Sequence, residues 1–86
     1  MVIHNRIALF RAEAGLSRRA LAEAVEVNPQ TIGYLERGDY KPSLELAMRI
    51  ARVFGVPVEL IFSFQPFEPV ADALQRAGVH SQEREA

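Results

Sequence analysis

The chain has no cysteine. That excludes a disulfide framework, a thiolate zinc site and a cysteine nucleophile, and it fits a reducing cytoplasm. Long apolar runs are missing too. None approaches the roughly 20 residues that span a bilayer, so no membrane partner is expected. Met1 to Arg6 lack the charged-then-apolar order of a secretory signal. Strong net charge is also absent: ten Lys and Arg against eleven Asp and Glu leave −1. Such a total does not advertise a polyanionic partner. Its distribution says more. Residues 1–65 hold eight basic and seven acidic groups, and residues 66–86 hold two and four. The acidic excess therefore lies in the tail, and any affinity for nucleic acid must come from a local basic face. His4 and His80 lie far apart with no Cys or carboxylate pattern beside them, so no metal is expected. No nucleophile–base pair or phosphate loop appears, and a chain of 86 residues offers little pocket. No enzyme, cofactor or small-molecule ligand is expected.

Short helical segments fill the chain instead. Ile3, Ile7, Phe10 and Ala14 recur at helical spacing and predict a first amphipathic helix, stopped by Gly15. Ser17 suits the N-cap of a second, two-turn helix with Leu21, Ala22 and Val25 as its buried stripe. Asn28-Pro29 then starts a third helix, Asn as cap and Pro at the first helical position. Ile32 and Leu35 form its narrow apolar face. Gln30, Thr31, Gly33, Tyr34 and Arg37 fall on the other face, and Gly38 ends it. Ser43 caps a fourth helix whose apolar side reads Leu44, Ala47, Ile50, Ala51 and Phe54. Val56-Pro57 opens a short fifth through Phe62. Phe64, Pro66, Phe67 and Pro69 make a connector, and Val70, Leu74 and Ala77 predict a short sixth helix at 70–77. Residues 79–86 have little reason to be ordered. With no strand-like alternation, the fold class is all-α: a five-helix domain over 1–65 with a C-terminal extension over 66–86.

The informative constellation is the second and third helices with their short connection. Ala22 is small where the helices cross, which lets two backbones approach. The outer face of the third helix stays free, with polar groups near its N-terminal end, as a major groove requires. Gln30 can bond bidentately to an adenine edge. Thr31 offers a hydroxyl to a base or phosphate and a methyl to thymine, and Tyr34 lies one turn on. Backbone N–H groups from Asn28 to Gln30 suit a phosphate at the positive helix end. Arg18, at the start of the second helix, with Arg37 and Lys41 are further phosphate candidates.

The run Arg11, Gly15-Leu16-Ser17, Leu21-Ala22, Val25, Thr31-Ile32, Leu35-Glu36, Gly38, Pro42-Ser43-Leu44, Ala47, Ile50-Ala51 and Val53-Phe54-Gly55-Val56 resembles the XRE family. These are bacterial regulators of the phage Cro and repressor type, and the resemblance covers about residues 3–65. It implies a lambda-repressor-like DNA-binding domain and a transcriptional regulator, with repressor action expected. It implies base contacts at Pro29, Gln30 and Tyr34 with Asn28 and Thr31 beside them, phosphate contact at Arg18, and an ion pair of Arg11 with Glu36. Glu26 departs from the family by standing where Gly is common in the tight turn, and Gly33 by lying inside the reading helix. The aromatic cluster Phe62, Phe64 and Phe67 either caps the bundle or forms a dimer interface. A homodimer is the expected reading, since such regulators bind paired half-sites. The alternatives are an antitoxin-like protein that also binds a toxin, and a helical interaction module that no longer binds DNA.

Overall fold

A computed structural model describes residues 2–68. The sixth helix expected at 70–77 lies outside the described residues. The elements are β1 (His4–Asn5), α1 (Ile7–Ala14), α2 (Arg18–Val25), α3 (Pro29–Arg37), α4 (Leu44–Phe54), α5 (Val58–Ile61) and β2 (Phe62–Ser63).

The caps read from the sequence are made. Ser17 Oγ accepts from the Ala20 amide at 3.0 Å, Asn28 Oδ1 from Gln30 at 2.8 Å, and Ser43 Oγ from Leu46 at 3.1 Å. Each satisfies an amide that a helix start leaves without an intrahelical partner. The C-terminal ends of α1 to α4 share one solution. The residue after each helix is left-handed, and the next amide reaches back to a carbonyl of the last turn: Leu16 to Arg11, Val27 to Ala22, Asp39 to Tyr34 and Val56 to Ala51. Glycine takes that conformation after α1, α3 and α4, whereas Glu26 takes it after α2 at φ 63°.

One core joins the helices. Ile7, Leu21, Ala22, Val25, Ile32, Leu35, Leu46, Ile50, Ala51 and Ile61 are buried together, with Phe10, Val27, Phe54, Val56, Val58 and Phe62 packed around them. Fully burying a Leu or Ile is worth about 1.5–3 kcal/mol, so this cluster is the main force holding α3 against α2 and α1. The Phe10 and Phe54 rings meet at 5.7 Å between α1 and α4.

Three expectations change. Ile3 does not belong to the first helix. The chain before α1 is extended, and β1 pairs antiparallel with β2, His4 opposite Ser63 and Asn5 opposite Phe62. The cause is local to Asn5 and Arg6. Asn5 Oδ1 accepts the Ile7 amide at 3.0 Å, its Nδ2 donates to the Leu35 carbonyl at 2.8 Å, and the Arg6 amide donates to the Ile61 carbonyl at 2.8 Å. Phe62 likewise leaves the fifth helix for the ribbon. Two-residue strands are too short to show a period of two, so alternation could not reveal them. Finally, Leu44 is 74% exposed, and Leu46 supplies the first core contact of α4.

Candidate nucleic-acid interface

Helix α3 divides into two faces. Ile32 and Leu35 face the core, and Asn28, Pro29, Gln30, Tyr34 and Arg37 are exposed on or beside the other face, with Thr31 half-buried between them. An open depression of about 340 Å³ lies along the exposed face, lined by Arg18, Pro29, Gln30, Gly33, Tyr34 and Arg37. It brings together two cations, one amide and one phenol from the start of α2 and the length of α3. Lys41 stands apart, in the loop beside Tyr40, Pro42 and the start of the chain.

Gly33 corrects the sequence reading, which put it on the exposed face: it is buried. Arg37 folds back over it, so a Cβ at position 33 would lie 3.5 Å from Arg37 Nη1. The Arg37 guanidinium also stands 5.1 Å from the centre of the Tyr34 ring, and its Nε donates to Asp39 Oδ2 at 3.1 Å.

The helix start is capped from within. Pro29 has no N–H, the Gln30 amide is spent on Asn28 Oδ1, and the Thr31 amide on the Asn28 carbonyl at 2.9 Å. These bonds cap the helix internally. The side-chain oxygen of Asn28 accepts the Gln30 amide and keeps one lone pair, and its NH2 has two further donors.

Behind the depression lies an ionic cluster. Glu36, with its side chain 6% exposed, accepts from Arg11 Nε at 2.8 Å through Oε2 and from Arg18 Nε at 2.9 Å through Oε1. Arg11 Nη1 also donates to the Leu16 carbonyl at 3.0 Å. Burial pushes the Glu36 carboxyl pKa up, but hydrogen bonds and charge from Arg11 and Arg18 outweigh it and hold the group below its ordinary 4.5. The Arg11–Glu36 pair is the one that the family resemblance implied. The second arm, from Arg18, was not legible in the sequence, because nothing in spacing alone relates the first turn of α2 to the last turn of α3.

The aromatic trio separates. Phe62 packs on the core, and Phe67 stacks under the Arg6 guanidinium at 4.3 Å. Arg6 in turn donates through Nε and Nη2 to the Leu60 carbonyl at 3.1 and 2.9 Å. Phe64 is 64% exposed. Neither Asn5 nor Arg6, which lock the ribbon, stood out in the sequence. Among the described residues there is no cluster of His, Cys, Asp and Glu fit for a metal ion, and no helix long and apolar enough to cross a membrane.

The helix-turn-helix family model matches residues 7–61. An HTH-type transcriptional regulator of Archaeoglobus fulgidus, itself uncharacterised, is 46% identical over 66 residues, covering 77% of this chain and 94% of its own. Among solved structures, the clp gene regulator ClgR from Corynebacterium glutamicum superposes with a TM-score of 0.58 at 33% identity, over 84% of this chain and 64% of that one. The restriction-modification controller protein C.AhdI from Aeromonas hydrophila shares the fold, with a TM-score of 0.60 at 24% identity over 63% of this chain and 82% of its own. Two braced helices, an exposed polar face on α3 and these likenesses converge: the chain belongs to the XRE-type helix-turn-helix family of DNA-binding transcriptional regulators.

Proposed function

We propose that this chain is a repressor that occupies its operator as a homodimer, with α3 in the major groove. The observation that carries the reading is the depression on α3, where Gln30, Tyr34, Arg18 and Arg37 converge on one exposed face. Gln30 reads an adenine edge with its paired donor and acceptor. Tyr34 reaches a base edge or a thymine methyl, and Thr31 adds a hydroxyl and a methyl. Pro29 and Asn28 border these contacts. Arg18, Arg37 and Lys41 grip phosphates, which supply affinity and register rather than sequence. Occupancy by a paired unit blocks competing proteins, hence repression.

The second copy docks in this reading at the groove beside the ribbon. That groove, about 590 Å³, is lined by Ile3, Leu44, Ala47, Val58, Phe62 and Phe64 among others. Exposed Leu44 and Phe64 make it a larger apolar surface than scattered single residues would.

Selection of bound DNA from a random pool, followed by binding of the recovered duplex at several salt concentrations, tests the reading. The expected result is a two-fold-symmetric preferred site and an affinity that falls with salt as counterions are released. Recovery of no preferred sequence sinks it.

A further inference from the structure

Glu36 joins two arginines with different surroundings. Arg11 is internal, with its side chain 19% exposed. Arg18 opens α2, is 57% exposed and lines the depression on α3. A guanidinium carries five N–H donors in a planar fork. Bonding Nε to Glu36 Oε1 sets the plane of that fork. The terminal nitrogens are left for another acceptor, and no group among the described residues takes them.

We infer that Glu36 is a positioning residue for DNA: it holds Arg18 as a pre-set fork for a backbone phosphate at the rim of the reading face. The inference rests on the reading above, in which Arg18 meets a phosphate. An arginine already fixed at Nε loses less side-chain freedom on binding than a free one. Glu36 projects from α3, so one carboxylate also couples the phosphate grip to the helix that carries Gln30 and Tyr34. Coulomb's law alone gives the opposite sign, because a carboxylate near DNA repels it. The direction of its effect is therefore diagnostic.

The full chain is titrated against two labelled duplexes, one recovered by selection with the wild type and one of random sequence. Several salt concentrations are used, and circular dichroism checks the fold of each variant. Arg18→Ala is expected to weaken binding to both duplexes about tenfold and to reduce the log–log salt slope by about 0.9. Arg18→Lys keeps the charge but lacks the fork. It is expected to bind roughly threefold to tenfold more weakly than the wild type at an unchanged slope. Glu36→Gln is expected to bind more weakly in spite of losing a negative charge. Equal binding by Arg18→Lys and the wild type overturns positioning, whether or not Glu36→Gln folds. Tighter binding by a folded Glu36→Gln overturns it too. Undiminished affinity and slope in Arg18→Ala removes the phosphate contact itself while leaving the Gln30 reading intact. A wild type that binds neither duplex removes both.

Discussion

Each oxygen of the Glu36 carboxylate accepts from a different arginine, and the consequence is a dependence on pH. Its pKa in the folded chain lies below the ordinary 4.5, so folding favours the ionised form. The stability it contributes is fully present above that ordinary value and is lost as pH falls through the lower folded one. Urea unfolding across this acid range checks it. Wild-type stability is expected to fall toward that of Glu36→Gln, with the neutral-pH gap about 2 kcal/mol, the order expected for a largely buried charged hydrogen bond. A gap that stayed constant with pH would refute the assignment. Gln30 has no such structural duty. Gln30→Ala is expected to leave thermal unfolding unchanged while costing about 1–3 kcal/mol on the preferred duplex and relaxing preference at one position. Unaltered preference in a repeated selection would show that another residue reads the groove.

At the scale of the element, the α2–α3 connection is held by a residue in a costly conformation. Glu26 sits at φ 63°, and among the described residues its side chain makes one exposed ion pair, to Arg49 at 3.3 Å. A left-handed L-residue costs roughly 1–2 kcal/mol, glycine gives back part of that through a freer unfolded chain, and an exposed pair is worth little. Glu26→Gly is thus expected to stabilise by about 0.5–1 kcal/mol, raising the melting temperature by a few degrees. A lower melting temperature would mean that the pair with Arg49 outweighs the backbone. The same connection shows how a helix pair is made rigid: Ala22 is fully buried at the crossing, and its carbonyl receives the Val27 amide at 3.0 Å.

The two ends of the described segment meet. Asn5 ties the N-terminal segment to the last turn of α3, and Arg6 ties it to α5 and to Phe67. Helix α3 and the apolar groove are therefore anchored to one ribbon, which fixes the distance between them within the chain. In the proposed homodimer that distance sets half-site spacing. Phe64→Asp places a charge in the groove without touching the core. Sedimentation is expected to show its association weakened relative to the wild type, with poorer binding to a paired site than to a half-site control. A wild type that sediments as a monomer at high concentration, with and without DNA, would rule out this interface.

Much of this protein was legible because its local signals agree. Ser17, Asn28 and Ser43 mark helix starts by chemistry that acts within three residues, and Gly15, Gly38 and Gly55 mark stops in the same way. The periodic apolar stripes then imply a helical bundle with α3 exposed on one side, and Gln30, Thr31 and Tyr34 follow as its polar face. Local chemistry does not reach further. The pairing of His4–Asn5 with Phe62–Ser63, the burial of Gly33 beneath Arg37 and the exposure of Leu44 depend on what the folded chain brings near. The sequence alone determined the helices, since their caps and stripes follow from spacing along one element, and the family, since its pattern recurs across all five. Only the tertiary structure decided that Glu36 holds Arg18, because that bond joins charges 18 positions apart that meet when α2 packs across α3.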